Sequence, residues 1–167
     1  MTDPAELEAL ARHAEAMATV RAFAERSGAE RVVLLVDPGD GGQAAMLDCA
    51  AGGALELTDG GRQWELPAGA APPAEPRALP ELRRVPATAL ALDPETGELE
   101  APLGTVAHLA RAVLGLARAF GGRSVATADF PTRDPGLPLT IAAREGEPFV
   151  VAAGDARFVL PQEALGS

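Results

Sequence analysis

The stretch from Gly104 to Leu160 constrains the fold most: a long apolar helical run, then a series of short alternating segments. Val106, Leu109, Val113, Leu116 and Phe120 recur with the 3.6-residue period of one helix face. Ala110, Leu114 and Ala117 widen that face, leaving only His108, Arg111, Gly115 and Arg118 as a polar stripe. The pattern predicts a helix over about 105–120, covered by protein around most of its circumference. Gly104 or Thr105 can cap its start, and Gly121-Gly122 offers a left-handed stop. A strand is expected from Arg123 or Ser124.

The segments that follow read as strands. Val125, Thr127 and Asp129 alternate with Ala126, Ala128 and Phe130, and Pro131 ends the run. Asp134-Pro135-Gly136 is a turn, Leu139 and Ile141 carry the next strand, and Glu145-Gly146-Glu147-Pro148 turns again. Phe149–Ala153 pairs back and Arg157–Leu160 adds an edge. Pro161–Ser167 reads as a loose tail.

The N-terminal half has a similar grammar. Asp3-Pro4-Ala5-Glu6 is a capping box with proline at the first helical position. Leu7, Leu10, Ala14, Met17 and Val20 continue as a helical stripe, giving a second helix over about 4–27 ended by Ser27-Gly28. Val32–Val36 is a continuous apolar run, expected to be a central strand buried on both faces. Asp37–Gly42 turns, and 43–49 returns as a strand. Leu55 and Leu57, then Trp64 and Leu66, alternate with polar residues around Asp59-Gly60-Gly61, which predicts a hairpin with one dry face.

Between the halves lies a proline-rich loop over 67–86, with Pro67, Pro72, Pro73, Pro76, Pro80 and Pro86. Leu79 and Leu82 are placed to pin it to the body. Thr88–Leu92 and Glu98–Ala101 flank Asp93-Pro94-Glu95-Thr96-Gly97 as a further hairpin. No repeat occurs at solenoid spacing. Two helices and about nine strands in hairpins make an α+β domain over 1–160: an antiparallel sheet with both helices packed on it.

Composition narrows the function. The 167 residues include no Lys, Asn or Tyr, so no lysine can act as nucleophile, Schiff base or phosphate clamp. The net charge of −10 opposes binding to nucleic acid or anionic lipid. A single cysteine, Cys49, excludes an internal disulfide and a cysteine zinc cluster, and fits a cytoplasmic setting. The opening residues MTDPAELEAL lack the basic and apolar regions of a signal peptide, and no run approaches the roughly 20 apolar residues of a membrane span.

Each chemical constellation has a simpler reading. Asp37, Asp40 and Asp48 lack the spacing and closing Glu of a calcium loop. His13 and His108 have no second ligand at helical spacing, so no metal site is expected. Neither Ser27 nor Ser124 stands in a nucleophile elbow. Gly39, Gly41 and Gly42 follow a strand but lead into another strand, without the helix N-terminus that holds a phosphate. Cys49 reads as a small core residue. Trp64, on the dry face of its hairpin, reads as core or as the floor of a ligand pocket. Asp129–Asp134 is the most polar stretch after a buried strand; Arg133 could hold an anion there, with Asp134 beside it as a further ligand-binding candidate, and an Arg-Asp pair on a loop is the simpler reading. No catalytic residue and no cofactor are assigned.

Two segments resemble GAF domains, a sensory fold related to PAS and profilin. These are Ser27-Gly28-Ala29-Glu30-Arg31-Val32-Val33-Leu34-Leu35-Val36-Asp37, and Arg123–Ala126 through Leu139–Phe149. A roadblock-like or other profilin-like fold matches the same order of elements. The proline-rich loop and the strand continuing past Phe149 depart from the GAF pattern. The resemblance implies a regulatory or ligand-sensing module and transfers no binding residue. The expected function is a non-enzymatic cytoplasmic regulatory or interaction module binding a partner protein or small ligand. The alternative is a small enzyme whose site joins distant carboxylates to a lone His. The narrow stripe of Leu7, Leu10, Ala14 and Met17 predicts a homodimer through the N-terminal helix.

Overall fold

A computed structural model describes residues 4–37, 44–70, 74–77, 79, 82–86, 90, 103–121, 123–134, 136–153 and 156–161. Among the described residues three helices and eight strands follow in order: α1 (Pro4–Arg12), α2 (Ala14–Ser27), β1 (Arg31–Val36), β2 (Ala45–Ala50), β3 (Leu55–Asp59), β4 (Arg62–Leu66), α3 (Leu103–Ala119), β5 (Val125–Phe130), β6 (Leu139–Arg144), β7 (Phe149–Ala153) and β8 (Ala156–Leu160). The strands form one antiparallel sheet in the order β4-β3-β2-β1-β5-β6-β7-β8. Helix α2 packs on β1, β2 and β3, and α3 packs on β1, β5 and β6. The fold is the expected α+β, with helices on one side of the sheet. The capping box at Asp3, the turn at 38–43, the hairpin around Asp93 and the tail 162–167 lie outside the described residues.

Burial on β1 follows from this one-sided cover. Val32 and Leu34 are buried under the helices, while Arg31 and Leu35 are exposed on the opposite face. The strand is central, as its apolar run predicts, but it is not buried on both faces. No described helix covers the second face.

The expected single helix over 4–27 is broken. At His13 the backbone leaves helical geometry (φ −105°, ψ 10°). The His13 ring lies 2.9 Å from Asp59 at the end of β3, and Arg12 approaches the same carboxylate oxygen at 3.5 Å. These contacts tie the α1–α2 junction to the β3–β4 hairpin. Ala14, Met17, Val20 and Phe23 are buried on α2; on α3 it is Val106, Leu109, Val113 and Leu116, the face that periodicity picks out.

The two halves repeat each other. Strands β1, β2, β3 and β4 begin at residues 31, 45, 55 and 62, and β5, β6, β7 and β8 begin at 125, 139, 149 and 156, a constant offset of 94. Each set follows a helix stopped by a left-handed glycine, Gly28 (φ 77°) after α2 and Gly121 (φ 58°) after α3. The offset carries Val33 onto Thr127, and these two are also register partners in the β1–β5 ladder. An approximate twofold axis perpendicular to the sheet therefore passes through that pair. Core-facing positions correspond: Leu47 with Ile141, Leu55 with Phe149, and Leu57 with Val151 are all buried. Trp64 and Phe158 correspond as half-buried rings, and Leu66-Pro67 corresponds to Leu160-Pro161.

The described part of the proline-rich loop is anchored. Arg77 places its guanidinium over the Phe120 ring, pairs with Glu15 and donates to the Ala119 carbonyl. Its backbone N–H donates to the Thr19 hydroxyl. Arg84 donates to the Glu25 carbonyl, and Leu79, Leu82 and Val85 pack on the core. The segment thus straps α2 to α3.

Candidate functional site

The open face of the sheet is built by simple alternation. Residues 31, 33 and 35 of β1, 46, 48 and 50 of β2, and 56 and 58 of β3 point away from the helices, as do 63 and 65 of β4. In the other half the same is true of 125, 127 and 129, of 140, 142 and 144, of 150 and 152, and of 157 and 159. Ladder pairing aligns one residue from each strand into a row: Glu65, Glu56, Asp48, Val33, Thr127, Ala142, Val150 and Val159. With strands about 4.8 Å apart, the row spans roughly 34 Å.

Three of the four large exposed hydrophobic side chains among the described residues stand on this face: Leu35 (38% exposed), Met46 (40%) and Val159 (59%). Leu35 is the register partner of both Met46 and Val125, so they form one apolar patch beside the sheet centre. The twofold that preserves the core side does not preserve this side. Asp48, Glu56 and Glu65 correspond to Ala142, Val150 and Val159, while Ala50 and Gln63 correspond to Arg144 and Arg157. One wing is acidic; the other is apolar with two arginines. Carboxylates directly opposite one another on neighbouring strands destabilise a sheet. Arg31 relieves Asp48 with two bonds of 2.9 and 2.5 Å, and Gln63 donates to Glu56 at 3.2 Å.

A second apolar surface lies on the helix side. Leu7, Leu10 and Met17 face Trp64 and Leu66 across a groove of about 950 Å³. Leu7 is 55% exposed, whereas Ala14 and Met17 are buried within the chain. Half of the N-terminal stripe is therefore used inside the protein. A third recess, of about 700 Å³, lies at the C-terminal end of α2, between Arg21, Cys49, Gly53 and Arg84. Arg21 is committed there to the carbonyls of Ala70 (2.6 Å) and Pro67 (3.4 Å). Burial pushes the Cys49 thiol up from its ordinary pKa, which keeps it protonated.

The sequence candidates do not converge. Trp64 lines the groove on the edge strand β4. Arg133 and Asp134 are exposed beyond the end of β5, with three strands between that strand and β4. The Arg133 N–H donates to the Leu90 carbonyl at 2.8 Å, and Thr132 bonds the backbone on both sides of Asp134. This is the geometry of a braced loop. His108 touches the backbone of Arg83 at 3.3 Å, holding the strap. No cluster of His, Cys, Asp and Glu able to hold a metal occurs among the described residues, and no described helix is long and apolar enough to cross a membrane. Sequence reasoning missed the open face because its residues look like the wet sides of ordinary hairpins. The available signal was Val33 and Leu35, two more hydrophobic residues on β1 than one covered face can use.

No family model matches the chain, and no curated protein or solved structure does. The GAF-like resemblance therefore rests on the quoted segments alone.

Proposed function

We propose that this protein is a non-enzymatic cytoplasmic interaction module that docks a protein on the open face of its sheet. The observation that carries the reading is the patch of Leu35, Met46 and Val125, register neighbours on a face that no described helix covers. A contiguous exposed apolar patch of this kind marks a contact surface. The single cysteine of the sequence, Cys49, fits a reducing compartment. Among the described residues, an enzymatic reading has the His13–Asp59 pair as its histidine–carboxylate contact. That pair joins one carboxylate to the ring, and its geometry serves to hold the α1–α2 junction.

The N-terminal helix supports a second placement of the same function. Exposed Leu7 and the groove beside Trp64 offer a seam for a homodimer through α1.

Binding of the apolar dye ANS separates the two surfaces. At submicromolar protein, Leu35→Glu with Met46→Glu is expected to abolish most of the dye fluorescence while the far-UV circular dichroism stays native. Leu7→Glu is expected to leave the fluorescence intact. The opposite pattern moves the contact to the α1 groove, and absence of dye binding by the native chain overturns the reading.

A further inference from the structure

We infer that the occupant of the open face is a second copy of this chain, packed sheet on sheet about a twofold axis parallel to the strands. The inference rests on the docking reading above and names its partner. Its warrant is the way charge is laid out on that face.

Overall the chain carries a charge of −10. The open face of the strands carries three arginines (Arg31, Arg144, Arg157) and four carboxylates (Asp48, Glu56, Glu65, Asp129). It is therefore close to neutral on a strongly acidic molecule, and an equally acidic copy is repelled least there. The charges are also segregated. Three acids lie on β2, β3 and β4, whereas Arg144 and Arg157 lie on β6 and β8.

A twofold axis along the strand direction at the sheet centre lays β4 of one copy over β8 of the other. It likewise lays β2 over β6 and β1 over β5. Arg157 then comes beside Glu65 of the second copy, Arg144 beside its Asp48, and Arg31 over its Asp129. Every such pair forms twice, as an isologous contact requires. Between them Val33, Leu35, Met46, Val125 and Thr127 supply an apolar centre. A twofold axis across the strands would instead stack acid wing on acid wing. Aligned sheets pack about 10 Å apart and within about 30° of each other, a separation that arginine and glutamate can span together. The face measures roughly 34 Å by 17 Å. That is about 600 Å² per copy, below the roughly 800 Å² per partner of standard stable complexes. A reversible dimer in the micromolar range is the matching expectation.

The test is light scattering and sedimentation equilibrium on the whole chain and its charge-reversal variants. The wild type is expected to move from 17.0 kDa toward twice that mass with rising concentration. Glu65→Arg and Arg157→Glu are each expected to weaken the dimer about tenfold, since each turns two attractive contacts into repulsive ones. An equimolar mixture of the two variants should restore association, because both contacts are then of opposite sign. A wild type that stays at 17.0 kDa up to millimolar concentration overturns the inference. So does a dimer indifferent to both reversals but broken by Leu7→Glu, which places the contact on α1. In either case dye binding lost with Leu35→Glu and Met46→Glu leaves the docking reading standing with a different partner.

Discussion

The guanidinium carbon of Arg77 sits 4.5 Å from the centre of the Phe120 ring. It brings a proline-rich segment, poor in backbone hydrogen bonds of its own, onto the ends of both main helices. The same side chain reaches Glu15 on α2 and the last carbonyl of α3. Arg77→Ala should cost about 1–2 kcal/mol, the sum of an exposed cation–π contact and its hydrogen bonds. Trypsin should then cut faster at Arg83 and Arg84, read by mass spectrometry against wild type at equal stability.

Leu116 is fully buried beneath α3. Leu116→Ala removes three carbons from a packed site and should cost about 2–5 kcal/mol. A urea midpoint that does not move would place a different face of the helix on the sheet.

Asp59 accepts from a buried histidine. Asp59→Ala leaves the His13 ring without that partner, a loss of about 1–3 kcal/mol. The damage should be local. Hydrogen exchange at α1 should rise well before exchange at α3, because α1 is attached to the body largely through this junction.

Arg118 on α3 holds the Glu145 carboxyl below its ordinary value of 4.5, chiefly through their hydrogen bond. A carboxyl depressed by folding adds stability that is complete above its unfolded pKa and fades as pH falls through the lower folded value. The pair is exposed, so the effect is small. Glu145→Gln should lower the urea midpoint slightly at pH 7. The difference from wild type should begin to shrink below about pH 4.5 and vanish at the acid end.

Periodicity exposed the helices and the dry sides of the strands because one covered face leaves a plain alternation. Leu55 and Leu57, Leu139 and Ile141 all lie where that alternation puts them. It misled at β1, where five apolar residues in succession read as burial on both faces. A chain cannot show by itself whether Val33 and Leu35 meet a helix or nothing within the same molecule. The duplication was hidden for a related reason. It is kept on the core side as Leu47 with Ile141 and Leu55 with Phe149, buried apolar pairs that preserve hydrophobicity and not identity. On the open side Glu56 answers to Val150 and Glu65 to Val159, so the two halves look unrelated there. Trp64 and Arg133 looked like site residues because large or charged side chains near turns do. Only the strand order reveals that they belong to different parts of the sheet.

The repeated Leu-Pro step also governs how this sheet meets others. Strands β4 and β8 are its two borders among the described strands, each five residues long, and each is followed at once by a proline, Pro67 or Pro161. A strand from another molecule that added to either border would find five residues of ladder and then a position with no N–H to offer. Because the internal twofold writes the same stop at both borders, the sheet resists end-to-end growth into ribbons from either side.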